Sequence, residues 1–348
     1  MLRERIEGKW IDSFVDVFSL CKLQPGETVA ILSETQSRPV LVQLSELAAL
    51  RLGAKIFHVV LPTPKQTFPI PIRSTGTCLA VGGLQPVVKS LAMTNMVIDC
   101  TVEGMLHAPE TKEILAGGTR IMMISNEHPE LLERTKPNPR LREKVRLGMD
   151  LLSRANEMRV ESDAGTDLTV RVAGAPARGA VGYVDEPGRM GYWPAGLCLC
   201  FPNPGTVNGR VVLAPGDVNL TFKRYLESPV TLIVENDYVT RIEGDGLDAE
   251  LMRSYFAAWN DREAYATSHV GWGMNPLARW DSLTMYDRGD INGTELRAFA
   301  GNFLFSTGAN DMAGRFTACH FDLPMKGCTV TLDNRAVVER GVLIEELR

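Results

Sequence analysis

No stretch of the 348-residue sequence stays apolar for the roughly 18 residues that a bilayer span requires, so no membrane-crossing helix is expected. The opening residues, MLRERIEGKW, lack the uncharged apolar core of a secretory signal, which leads to the expectation of a cytoplasmic protein. Basic runs are missing as well. Lys and Arg total 37 against 42 Asp and Glu, a formal net charge of −5 at pH 7, and no segment gathers cations as a phosphate-binding face does. Neither nucleic acid nor a membrane is an expected partner. The turn after the first strand reads SETQSRP, without the G-x-G-x-x-G of a dinucleotide-binding loop, so a nicotinamide cofactor is not expected. The seven cysteines contain no pair with zinc-knot spacing: Cys198 and Cys200 are two apart and sit in the apolar segment GLCLCF. Reduced, buried thiols are expected.

What is present divides in two. The length is about twice that of a typical single domain, and 45% hydrophobic with 23% charged residues is enough apolar material for a continuous core. Up to about residue 135, β-rich runs at 28–32, 55–61, 96–99 and 119–125 alternate with amphipathic stretches at 38–53 and 84–92. That alternation predicts a parallel sheet with helices on its faces. Trp10, Phe14, Val17, Phe18 and Cys21 recur at helical intervals, and Gly53 stands where a helix C-cap glycine belongs. A Pro-punctuated, charged amphipathic helix at 135–158 links to a second half of different character. There, alternating runs around turns at 158–174, 209–224 and 230–244 predict antiparallel strands, with helices only at 247–259 and about 293–301. The fold class expected is an α/β N-terminal domain with a parallel sheet, residues 1–157, and a β-rich α+β C-terminal domain, residues 158–348. The cleft between them is the default ligand site.

Each of the five histidines can be weighed by its setting. His58 lies inside the apolar run KIFHVVL and reads as a packed, hydrogen-bonded strand residue, while His128 precedes Pro129 at a helix start and reads as surface. His320 and Asp322 form an H-x-D. In a strand, residues two apart share a face, so one imidazole and one carboxylate can reach a single metal at roughly 2.0–2.2 Å each. His269 ends a strand-like run just before GWGMN, where a sharp turn would let the backbone approach a ligand. Two imidazoles and one carboxylate with the remaining positions open make the facial triad of non-heme Fe(II) oxygenases.

A family resemblance becomes visible at these residues. The blocks Pro194-Ala195-Gly196-Leu197 with the downstream GTVNG, His269-Val270-Gly271-Trp272-Gly273-Met274-Asn275, Gly301 to Gly308, and His320-Phe321-Asp322 resemble, in their order, the metal-binding blocks of thermophilic-type metallo-aminopeptidases. The resemblance implies an aminopeptidase-like fold. It also places a glutamate ligand where Leu197 stands, another where His269 stands, and a histidine where Leu304 stands. A two-zinc hydrolytic centre of that type is therefore not expected, and one site made by His269, His320 and Asp322 survives. So altered, the pattern is similar to the 2,5-dihydroxypyridine 5,6-dioxygenases, along essentially the whole chain. That resemblance implies one Fe(II), a dihydroxypyridine and O2 as small-molecule partners, and ring cleavage to N-formylmaleamate. It implies that Leu106 and His107 contact the ring, with His107 a hydrogen-bond partner or base, that Ser306 contacts substrate, and that Tyr192 stands where the family has a second histidine base. Arg297 is the nearest cation for an anionic ring oxygen; the alternative for it is a solvated helix residue. A closed homo-oligomer is expected. A metal-dependent aminopeptidase or amidohydrolase with one zinc, and a non-catalytic binding protein, remain the alternatives at this stage.

Overall fold

Short aliphatic runs bounded by polar turns become the parallel strands of the first half. A computed structural model describes residues 5–68 and 76–348. Its first sheet runs in the order Lys55–Leu61, Thr28–Glu34, Met96–Asp99, Arg120–Ile124 and Met190–Trp193, every neighbouring pair parallel. Such a sheet must be covered on both faces, and it is. Trp10, Phe14 and Phe18 of the helix Gly8–Leu20, with Leu41 and Leu44 of Pro39–Arg51, pack on Val29, Ile31, Ile98 and Met122. The opposite face, with Ala30, Leu32, Val97 and Ile121, is covered by Val88 and Leu91 of Gln85–Ala92 and Ile114 of Thr111–Ala116. Gly53 follows the helix Pro39–Arg51 at φ +79, the left-handed conformation that a side chain would disfavour, so the expected cap is realised.

His58 does not occupy the packed position expected of it. The strand Lys55–Leu61 is the edge of the sheet, its side chains are mostly half-buried or exposed, and the exposed His58 faces Glu46 at 3.4 Å. An apolar run does not by itself distinguish an edge strand from a central one. His128 caps the helix Pro129–Arg134, its Nδ1 accepting the amide of Glu130 at 3.2 Å.

In the second half the strands other than Met190–Trp193 are antiparallel, as expected. Eight of them form one sheet, from Tyr238–Glu243 at one edge to Val342–Leu343 at the other. Five form another, in the order Arg315–Met325, Phe303–Asn310, Thr267–Gly273, Leu197–Cys200 and Ala177–Ala180. Both sheets share one core, in which Val160, Leu168 and Leu232 belong with Trp272, Phe303, Phe305 and Phe321. The two halves also exchange elements. The strand Met190–Trp193 returns to complete the first sheet, and the helix Pro139–Arg154 contributes Leu141, Val145 and Leu152 to the core of the second half. Among the described residues no helix is long and apolar enough to cross a membrane.

The sharp turn expected at GWGMN is absent, because the strand Thr267–Gly273 continues through both glycines. Their small size serves close approach instead. A Cβ on Gly271 would sit 2.2 Å from the carbonyl oxygen of Cys198, and one on Gly273 would sit 2.1 Å from that of Phe299. Since the obstructing atoms are backbone, Gly271→Ala is expected to cost at least about 3 kcal/mol of stability, measured by urea unfolding against the parent protein.

Candidate metal centre and substrate cavity

Strand alternation does most of the placement. Along Arg315–Met325, Phe321 and Leu323 enter the core while His320 and Asp322 face the other way; along Phe303–Asn310, Phe303 and Phe305 enter the core while Leu304 and Ser306 do not. The register sets Ser306 opposite Asp322 and Gly308 opposite His320. His269 arrives by a different route. Thr267 pairs with Thr307 but Val270 with Phe305, so Ser268 and His269 oppose one residue of the neighbouring strand. Such a bulge re-aims a side chain, and this one brings the His269 ring to the face that carries the H-x-D.

The three candidate ligands converge. His269 Nε2 lies 3.4 Å from His320 Nε2 and 3.5 Å from Asp322 Oδ1, and His320 Nε2 lies 3.3 Å from Asp322 Oδ2. Ligand bonds of roughly 2.1 Å at right angles hold neighbouring donor atoms about 3 Å apart, and wider angles spread them further. The observed spacing therefore fits three donors on one side of a single ion. All three side chains are at least nine-tenths buried, and two imidazoles with one carboxylate suit a divalent transition metal.

Asp322 is fixed from behind. Ser306 Oγ donates to Oδ1 and Arg297 Nε donates to Oδ2, both in short contacts. Burial alone would raise the Asp322 carboxyl, but His320 and Arg297 outweigh it and hold the group well below the usual carboxylate range. Burial pushes His269 down to about 3, so the imidazole is neutral and its lone pair is free for a metal. Ser306 was expected against the substrate. It is fully buried beneath the carboxylate and does not line the cavity, which makes it an orienting group for Asp322. Arg297 is not the solvated helix residue of the alternative reading: its side chain is only 12% exposed and is committed to Asp322.

The triad opens onto a cavity of about 320 Å3, walled from the first half by Leu106, His107 and Tyr192, and from the second by Leu197, Leu304 and Arg297. The His107 and His320 ring centres are 5.1 Å apart. His107 is held by its own amide, which donates to the carbonyl of Gly76 at 2.6 Å, while its ring makes no hydrogen bond among the described residues. Its depth within the protein, then His320 and His269, lower its pKa; the residue is exposed toward the cavity, so the water it meets there moderates the size of that shift. Tyr192 belongs to the strand that completes the first sheet, paired with Met123. Burial raises its phenol above the ordinary value, so it remains a neutral donor at neutral pH and a poor base. Leu197 and Leu304 pack together with Ala298. The positions where the peptidase resemblance would put further ligands are thus an apolar wall.

One supporting residue went unnoticed in the sequence. Glu127, fully buried, accepts the backbone amides of Asn292, Gly293 and Thr294 at 2.7, 3.0 and 2.8 Å. These amides open the short helix Thr294–Ala298, which carries Arg297. Arg134 adds a second tie through both oxygens of Glu295. A carboxylate in the segment SNEHP carries no sequence signal of this task. Glu127→Ala leaves buried amides without an acceptor, and a loss of about 3 kcal/mol is expected in urea unfolding. Because the helix sets Arg297 against Asp322, metal affinity is expected to fall about 10- to 100-fold in an equilibrium titration.

Comparison with known proteins bears on this geometry. A family model described as 2,5-dihydroxypyridine 5,6-dioxygenase matches residues 9–345. A protein of that name from Pseudomonas putida KT2440 is 37% identical over 335 residues, covering 95% of each chain. The solved structure of 2,5-dihydroxypyridine dioxygenase from the same organism aligns with a TM-score of 0.91 at 37% identity, over 97% of this chain and 98% of that one. Wild-type AmpT from Thermus thermophilus aligns with a TM-score of 0.65 over 97% and 99% of the two chains; at 13% identity this shows a shared fold alone. The expected combination of a parallel α/β sheet with a β-rich α+β part in an aminopeptidase-like arrangement is the one found.

Proposed function

Since the chain belongs to the 2,5-dihydroxypyridine 5,6-dioxygenase family, we propose that it cleaves a hydroxylated pyridine between C5 and C6 with O2, using one Fe(II) held by His269, His320 and Asp322. With 2,5-dihydroxypyridine the product is N-formylmaleamate: the C5–C6 bond breaks, C5 becomes a carboxylate, C6 a formyl group, and both atoms of O2 are retained. This places the reaction in nicotinate or nicotine breakdown, in a cytoplasmic homo-oligomer. The observation that carries the reading is a cluster of two imidazoles and one carboxylate facing a cavity whose adjoining wall is leucine.

When bound, iron would supply open coordination positions that let an electron-rich ring and O2 share electrons without an external reductant. The chain's own residues prepare that meeting. His107, neutral and beside His320 on the cavity lining, accepts the proton of the C5 hydroxyl, which makes the ring a better donor. Leu106 lies against the ring beside it. Tyr192 keeps its proton and donates a hydrogen bond where the family resemblance places a base. Ser306 and Arg297 hold Asp322 in place, while Leu197 and Leu304 exclude water and leave no ligand for a second ion.

The test is an oxygen electrode with anaerobically iron-loaded protein. One O2 consumed per 2,5-dihydroxypyridine, with no turnover when zinc replaces iron, is the expected result. Product formation that needs no O2 would overturn the reading.

A further inference from the structure

Besides the groups already assigned, the cavity holds a cation at its far side. Arg178 lies on the strand Ala177–Ala180, at the opposite edge of the five-stranded sheet from His320 and Asp322. Its register partner is Leu199, another lining residue, so the side chain rises on the cavity face. The guanidinium donates to the carbonyl of Ala177 at 3.0 Å, and among the described residues no carboxylate pairs with it. His320 and Asp322 stand on the far edge strand, while His269 stands on the central one, two strand spacings of roughly 4.8 Å from that of Arg178. Arg178 thus lines the cavity from the side away from the H-x-D strand.

A second donor lines the same cavity. Ala180 shares its strand face with Arg178, and Tyr192 packs on the same cluster as Ala180, that of Leu197, Ala298 and Leu304. The Tyr192 hydroxyl has no hydrogen-bond partner among the described residues, and the residue lines the cavity. A guanidinium matches the two oxygens of a carboxylate, and a phenol on the same cavity wall adds a donor. Volume and charge agree. A cavity of 320 Å3 is in the range that accepts drug-sized ligands, more than eight non-hydrogen atoms require. With a divalent ion in the triad, the ion, Arg178 and Arg297 exceed the lining carboxylates Glu103 and Asp322 by two positive charges. Passing the hydroxyl proton of the ring to His107 leaves that sum unchanged, so an anionic substituent on the ring is favoured.

We propose that the preferred substrate is a dihydroxypyridine bearing a carboxylate, recognised by Arg178 and Tyr192 while the hydroxylated edge faces the metal centre. This rests on the ring-cleaving reading of the same cavity and narrows its substrate class.

The experiment compares 2,5-dihydroxypyridine with its C3 and C4 carboxylates and the matching carboxamides, which keep the shape and lose the charge. Anaerobic calorimetry on iron-loaded protein measures binding, and the oxygen electrode measures kcat/KM. At least one carboxylate is expected to bind ten or more times tighter than its carboxamide. Arg178→Gln is expected to erase that ratio, and Tyr192→Phe to reduce it severalfold. Equal binding of every acid and its amide, or a ratio that survives Arg178→Gln, overturns the proposal. Absence of oxygen uptake with every compound would instead overturn the ring-cleaving reading, while the binding ratio still decides the role of Arg178.

Discussion

His320→Ala is expected to empty the metal centre and leave the fold standing, whereas Asp322→Ala is expected to empty it and weaken the fold as well. The difference follows from what each side chain leaves behind. Removing the His320 imidazole deletes one donor at the cavity wall, where water can enter, and Asp322 keeps Ser306 and Arg297 as partners. Removing the Asp322 carboxylate takes the acceptor of Ser306 Oγ and of Arg297 Nε out of a site where both side chains are nearly or fully buried. Breaking a buried ion pair from one side costs about 3–5 kcal/mol, because the remaining charge keeps its desolvation penalty. Elemental analysis should find iron at background in both variants, and oxygen uptake should be lost in both. Urea unfolding of the metal-free proteins should separate them, with Asp322→Ala alone far below the parent. Retention of iron by His320→Ala would remove His320 from the ligand set.

The same contrast shows how far the sequence could be read. An H-x-D in an alternating run fixes that His320 and Asp322 share a face, since a strand has a period of two wherever it lies. The parallel sheet was legible for a similar reason: its short aliphatic runs are spaced by helix-length segments, and only a crossover topology accommodates them. His269 needed more than periodicity. Its approach depends on a bulge between two strands far apart in the chain, and the glycines after it, which suggested a turn, prove to be close contacts between neighbouring backbones. Arg297 and Glu127 were opaque because their roles are relations between elements: one reaches from a five-residue helix to a strand, the other caps that helix from the first half of the molecule. His58 failed on a property of the whole sheet, its edge. Local chemistry was readable; partnership across the fold was not.

His107→Ala is expected to retain iron at the parent level and to lower kcat by about 10²- to 10⁴-fold, the range ascribed to a positioned general base. Iron is spared because His107 lies outside the three-residue ligand group. The pH profile supplies the decisive readout. The surroundings of His107 lower its pKa, so in the parent protein the imidazole is already the neutral, proton-accepting form at pH 7. Activity should then persist as pH falls below the ordinary histidine value of about 6.5, and decline only on passing through the lowered pKa, where the ring becomes protonated. In His107→Ala that acid limb should vanish. The remaining rate should rise with pH instead, as ionisation of the substrate hydroxyl in solution takes over the step that the imidazole performed. Tyr192→Phe is the control: the phenol keeps its proton throughout this range, so its loss should shift KM and leave the shape of the acid limb intact. An acid limb that survives His107→Ala and disappears in Tyr192→Phe would transfer the proton-accepting role from the imidazole to the phenol, against the direction in which burial moves that group.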